Sequence, residues 1–218
     1  MYRPDLSVIF AQWPAIWAGV KMTLLVAVVS MACALPIGLL VALMRLSPFR
    51  PLSWLANAYV QFFRGIPQFV FLLWLYYGLA MMLGINFQAF TAGVIALSFQ
   101  YGAFLSEIFR AGIQAIHKGQ FEAGLSVGMS SPRIYQRIVI PQAFRIVLLP
   151  TMNMWIGMLK DTALVSAIGV TELMRTTDIQ SNLHFRPFEF YTTAALIYVL
   201  LTFLFSRMAN VVETRLKI

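Results

Sequence analysis

Long apolar runs alternate with short polar interruptions along this chain, and that alternation sets its elements. Apolar residues dominate over 19–44, 66–83, 89–110, 143–160 and 190–207. As a helix rising about 1.5 Å per residue, each run is long enough, or nearly so, to cross a ~30 Å hydrocarbon core. The first run holds Pro36, which removes one backbone donor and predicts a kink. It ends at Arg45 to Pro51, where two arginines meet two prolines. Leu52 to Phe63 is apolar but too short and interrupted to cross, so it predicts a helix lying in the membrane interface. Gly65 and Pro67 break that helix before the second span. Trp13 and Trp17 suit a membrane–water boundary. Between the fourth and fifth runs, Lys160 to Met174 is amphipathic and belongs at the outer mouth of the membrane. Arg175 to Glu189 predicts a polar outer loop.

The longest polar interruption is GQFEAGLSVGMSSPRIYQRIVIP, Gly119 to Pro141. Gln120 to Val127 can form about two helical turns, which Gly128 can end in a left-handed cap because it carries no Cβ. Ser131 is then a good N-cap and Pro132 a good first helical residue, so a second short helix runs towards Val139. Phe121, Gly124, Leu125 and Gly128 share one face at i, i+3, i+4, i+7 spacing. The result is an elbow with two apolar knobs and two places for close backbone approach. A docking surface and an ordinary cytoplasmic loop are equally compatible with these cues.

A spacing match separates those two readings. Glu122, Ala123 and Gly124 are followed after three residues by Gly128, and after nine more by Ile138, Ile140 and Pro141. This resembles the signature loop of permease subunits of bacterial ABC importers, in which Glu-Ala-Ala, Gly and Ile-x-Leu-Pro stand at the same intervals. Gly124 replaces the second Ala of that pattern and Ile140 its Leu. FRGIPQ before the second span, YGAFLSEIFRAGIQAI ahead of the loop, and PQAFR and LKDTALVS after it resemble the polar amino-acid branch of these importers, the histidine, glutamine, glutamate and arginine type. Together the pieces cover about half the chain, Phe62 to Leu173.

The resemblance implies an all-α integral membrane protein. Its fold would be the type I importer fold, with about five transmembrane helices and a cytoplasmic coupling helix, in a single permease domain over 1–218 whose coupling loop is 116–141. It implies a second permease subunit, with a heterodimer favoured over a homodimer, and two ABC ATPase subunits docked on the loops. It also implies a periplasmic or tethered substrate-binding protein. ATP and Mg would be bound by the partner ATPase and no cofactor by this chain. In the loop, Phe121, Glu122, Ala123, Gly124, Leu125, Gly128, Ile138 and Pro141 would make the ATPase contact, with Phe121 and Leu125 as apolar anchors. A related solute, such as an opine or the compatible solute ectoine, is compatible with the same branch.

Composition and charge narrow the alternatives. With 60% hydrophobic and 11% charged residues, the chain is not a soluble domain. Its net charge of +8 comes from basic residues scattered among apolar runs, which points to membrane topology rather than nucleic acid. Inner segments hold Arg45, Arg50, Arg64, Arg110, Lys118, Arg133, Arg137, Arg145, Arg207, Arg215 and Lys217, while Arg3, Arg175 and Arg186 fall outside. That bias predicts a multi-pass protein of the bacterial cytoplasmic (inner) membrane, its N-terminus outside and its C-terminus inside. The first run is too long for a cleavable signal and reads as a retained anchor.

Candidate chemistry is sparse. The single cysteine, Cys33, excludes an internal disulfide or a cysteine metal cluster. His117 and His184 fall in loops on opposite faces and share no metal site. There is no phosphate-cradling Gly-x-x-x-x-Gly-Lys loop and no converging catalytic set, so neither an ATPase nor an intramembrane enzyme is indicated. A channel would leave the elbow unexplained. About ten residues from either end of their spans, Gln100, Tyr101 and Asn153 fall near mid-depth. Polar groups there line a substrate pathway or make helix–helix hydrogen bonds worth roughly 0.6 kcal/mol. Lys160 and Asp161 form an outer gate for a zwitterion or neutralise each other. Nearer the cytoplasmic end, Glu107 and Arg110 predict a salt bridge that includes Arg64.

Overall fold

A computed structural model describes residues 5–216, with side chains to residue 214. Arg3 and Lys217, and the side chain of Arg215, therefore lie outside the described residues. Every regular element among the described residues is helical. In chain order these are α1 (Ser7–Ala11), α2 (Trp13–Leu46), α3 (Arg50–Gly65), α4 (Gln68–Leu83), α5 (Ala89–Gln114), α6 (Lys118–Ser126), α7 (Ser131–Ile168), α8 (Leu173–His184) and α9 (Pro187–Leu216). Four of them, α2, α5, α7 and α9, are long and apolar enough to cross a membrane, and α3 with α4 forms a broken pair that passes the same test.

The helices end where backbone geometry allows the last carbonyls to be satisfied. Gly84, Gly128 and Gly169 all have positive φ, the left-handed conformation that costs glycine least. At each of them the following amide reaches back five residues: Ile85 N to Ala80 O at 3.0 Å, Met129 N to Gly124 O at 3.0 Å, and Val170 N to Val165 O at 3.3 Å. This is the Schellman closure. At the end of α8 the same closure runs from Arg186 N to Ser181 O at 3.2 Å, but the left-handed residue is Phe185, with φ of 53°.

Prolines do not end the spans that contain them. Pro36 lies inside α2, and Pro150 inside α7. Pro141 follows a π-helical turn at Tyr135–Val139, so Ser131 onwards is continuous with the span. The second short helix expected to stop near Val139 is thus the first part of α7. A wider turn just before the proline gives its ring room against the preceding carbonyl. A further correction concerns Arg175 to Glu189, expected as a loop, where α8 forms instead. Its buried side carries Leu173, Thr176, Thr177 and Ser181, so hydroxyls stand where an apolar period would have announced a helix. Thr177 returns its hydroxyl to Leu173 O at 2.7 Å and so enters the interior satisfied.

The chain divides into two compact units. The first comprises Met1–Cys33, Ile66–Ser98 and Trp155–Ser206. Its core gathers Ile9, Ile16, Val20, Leu173, Phe190 and Ala194. Gly19 permits the approach of α8, since a Cβ there would meet Thr176 Oγ1 at 2.8 Å and Leu173 Cα at 3.0 Å. The second unit comprises Ala34–Gly65, Phe99–Met154 and Arg207–Ile218. Val41, Ala56 and Val60 form its core cluster, flanked by Ile37, Met44 and Tyr59. Here Gly38 lets α2 meet α5, because a Cβ would come within 2.7 Å of Leu105 Cβ and 3.1 Å of Gly102 O. Small residues at crossings suit packing in lipid, where close backbone approach and dispersion replace the hydrophobic drive.

Candidate functional site: the elbow, the arginine tie and the buried glutamate

The elbow is built by α6 and the first turns of α7. His117 is the N-cap of α6, its Nδ1 accepting from Gly119 N at 3.1 Å, a cap the sequence reading missed. At the other end Gly128 adopts φ of 77° and closes the helix through Leu125 O and Gly124 O. Gly124 is buried, and a Cβ there would come within 2.7 Å of Ile134 Cγ1, so glycine lets the two arms close without a shift of the Ile134 side chain. Phe121 stacks edge-on against Tyr135 with centroids 5.6 Å apart. Both border a cleft of about 280 Å³ that Ile113, Ile116 and Val139 floor and that His117, Lys118 and Glu122 edge.

This geometry divides the expected docking face. Phe121, half-buried, and Gly124, buried, turn towards the other arm of the elbow. Leu125 and Val127 are exposed at 49% and 75%, and Glu122 and Ala123 are exposed beside them. The outward surface is therefore Glu122, Ala123, Leu125 and Val127. Ile138 is half-buried and Pro141 exposed on α7. The face expected from the helical period, Phe121, Gly124, Leu125 and Gly128, is divided in the fold, and which part of it faces inward depends on Ile134 and Tyr135, residues of the other arm.

In the same unit, Glu107 collects three arginines. Its Oε1 forms an ion pair with Arg45 Nη1 at 2.9 Å and accepts a hydrogen bond from Arg64 Nη1 at 3.1 Å, and its Oε2 accepts from Arg110 Nη2 at 2.8 Å. The bridge from Arg64 was legible in sequence; Arg45 was not, because α2 and α5 meet only in the fold. Neutral amides share the load, with Arg45 Nε on Asn57 Oδ1 at 2.8 Å and Arg110 Nη1 on Gln114 Oε1 at 2.6 Å.

The other predicted site residues are not gathered by any of these contacts. Gln100 and Tyr101 are buried on α5, and Tyr101 meets Phe104 edge-on at 6.2 Å. Asn153 and Lys160 are exposed on α7, and Asp161 is half-buried. A residue the sequence reading passed over, Glu172, is fully buried in the first unit. It N-caps α8, accepting Met174 N at 2.9 Å and Arg175 N at 2.8 Å. Tyr198 donates to it at 2.9 Å and Thr23 at 3.3 Å, while Thr23 Oγ1 accepts Leu173 N at 3.1 Å. Burial pushes its carboxyl above the ordinary glutamate range, against the pull of these hydrogen bonds. Only the Glu-x-x spacing before a helix could have signalled it.

Several membrane-length helices, two of them joined through a polar, glycine-capped elbow, are the architecture of a polytopic membrane protein. Residues 34–218 match the family described as binding-protein-dependent transport system inner membrane component. A probable glutamine ABC transporter permease protein, GlnM of Bacillus subtilis (strain 168), is 35% identical over 98% of both chains. The arginine transport system permease protein ArtQ of the same organism is 36% identical over 98% of this chain and 97% of its own. The glutamine transport system permease protein GlnP of Escherichia coli (strain K12) is 34% identical over 98% of each. A crystal structure of an amino acid ABC transporter with histidines superposes with a TM-score of 0.93 at 38% identity, covering 98% of this chain and 100% of the other. The chain belongs to the inner membrane component family of binding-protein-dependent transport systems, and its fold is that of a type I ABC importer permease.

Removing the Glu172 carboxylate leaves buried donors on α8, Thr23 and Tyr198 without their acceptor. Glu172→Ala is expected to lower stability by about 2 kcal/mol and to open 169–186 to protease, read by thermal melting and limited proteolysis in detergent. Since its carboxyl is raised, the wild type's stability from this site is greatest in acid and declines as pH rises from the ordinary glutamate range to the raised value. Glu172→Gln should flatten that decline; an unchanged pH profile would remove Glu172 as its source.

Proposed function

We propose that this chain is the translocation subunit of an ATP-driven importer for a polar amino acid, coupled to a cytoplasmic ATPase through the Glu122–Pro141 elbow. The observation that carries the reading is a Schellman-capped elbow with Glu122, Ala123 and Leu125 on its outer surface, in a member of this family. The chain's similarity to glutamine and arginine transport permeases supports the substrate class. The whole chain, 1–218, acts as one permease domain with coupling loop 116–141. Two ATPase subunits carry ATP and Mg, a periplasmic or tethered binding protein delivers the solute, and a second, different permease completes the pathway. Exposed apolar residues on α7 and α9, among them Phe144, Ile146, Leu196 and Phe203, supply surface for that second subunit and for lipid. Gln100, Tyr101, Asn153, Lys160 and Asp161 contribute to the pathway.

Uptake of labelled glutamine or arginine into proteoliposomes holding the full complex tests the coupling. Gly128→Val forces a β-branched residue into a left-handed position, a strain of about 1–3 kcal/mol. It should abolish substrate-stimulated hydrolysis and uptake together while the protein still inserts, whereas Gly128→Asn should retain most of both. Wild-type coupling in the valine variant would show that the elbow is not the transmission element.

In the same vesicles, Asn153→Ala and Gln100→Ala should shift competition between amino acids by roughly tenfold, about 1.4 kcal/mol, with basal ATPase binding unchanged. Normal competition in both would move the pathway elsewhere.

The bias of basic residues towards the inner segments supports an N-terminus outside and a C-terminus inside. A cytoplasm-dependent reporter fused after Ile218 should be active, and one inserted near Asn182 inactive; the reverse pattern would invert the topology.

A further inference from the structure

Helix α3 presents three distinct arcs. Ala56 and Val60 pack inward. Trp54, Leu55, Ala58 and Phe62 lie within about a quarter-turn of one another at 100° per residue, and all are exposed, Trp54 at 72% and Leu55 at 57%. Between these arcs runs a polar stripe, Arg50, Asn57, Gln61 and Arg64, spaced i, i+7, i+11, i+14 and exposed along its length. A helix with an apolar exposed arc beside a basic edge suits the boundary between acyl chains and headgroups.

The stripe ends in the Glu107 tie, where three guanidiniums share one carboxylate, a formal excess of two positive charges. Arg110 Nε is buried there without a hydrogen-bond acceptor, and 44% of the Arg64 side chain is open beyond its bridge. Arg64 also lies 5.7 Å over the Phe104 ring, which fixes its plane without neutralising it. Unbalanced charge beside hydrocarbon is unfavourable unless an anion completes it.

We propose that α3 and the arginines beside it bind the headgroups of anionic phospholipids. One such headgroup lies at Arg50 and another at Arg64, about 21 Å further along the helix at 1.5 Å per residue, with acyl chains resting on Trp54, Leu55 and Phe62. Charge complementarity selects this occupant: a neutral lipid would leave the excess charge uncompensated, and a free phosphate would leave the apolar arc uncovered. The proposal requires only that the chain lie in a membrane and is independent of the elbow's coupling role.

The test uses the purified transporter complex in nanodiscs of mixed phosphatidylglycerol and phosphatidylcholine, with retained lipid counted by native mass spectrometry. Wild type should retain phosphatidylglycerol preferentially. Arg64→Gln should reduce that preference about fivefold, the effect of about one basic residue near an anionic surface. Arg50→Gln should do the same, and because Arg50 takes no part in the Glu107 tie, its result is free of damage to the fold. Excess inorganic phosphate should not displace the lipid. Equal retention of the two lipids, or an unchanged preference in Arg50→Gln, overturns the proposal. Displacement by phosphate overturns it too, by making the site one for a free anion.

Discussion

The structure depends on one constraint: a backbone in hydrocarbon must satisfy its own amides and carbonyls. Helices do this internally, so what needs explaining is each place where a helix stops. Gly84, Gly128 and Gly169 stop theirs with the same left-handed closure. Phe185 performs it without the steric freedom of glycine, so the α8–α9 turn holds strain that Ser181 and Arg186 must offset through their hydrogen bond. Helix starts are handled by side chains, with His117 at α6 and Glu172 at α8. The elbow is thus one instance of a rule applied throughout the chain.

Buried carboxylates follow from the same constraint. Glu172 is stabilised by two amides and two hydroxyls rather than by a cation, and serves as a junction of α2, α8 and α9. Glu189, also buried, accepts Asp5 N at 2.9 Å and pairs with Arg186 at 3.3 Å, tying the residues before α1 to the start of α9. Glu107 stands apart because its partners outnumber it. Where the first two acids close a fold internally, Glu107 leaves positive charge facing outward, at the edge of a helix that is itself half apolar. Structural tie and outward-facing surface coincide there.

For the proposed coupling, the contacts within the elbow lie where force would have to pass. Gly124 seated on Ile134, and Phe121 on Tyr135, make the elbow a preformed body rather than a loop that orders on contact. Because α7 runs without interruption from Ser131 through Pro141 into the span, a displacement of the elbow moves the membrane helix with it. The π-helical turn at Tyr135–Val139 is what keeps that connection continuous past a proline.

Sequence alone determined the membrane class, because the solvent selects long apolar runs and marks every break with glycine, proline or charge. It also determined the left-handed closure at Gly128, since a missing Cβ is a local property, and the bridge of Arg64 to Glu107, since the charges had few other partners. Tertiary structure decided what local rules cannot see. Arg45 joined Glu107 only because α2 crosses α5 at Gly38, α8 declared itself only through buried hydroxyls, one of them (Thr176) against Gly19, and Phe121 faced inward only because Ile134 and Tyr135 came to meet it. Periodicity says which residues share a face; which face is covered depends on elements far away in the chain.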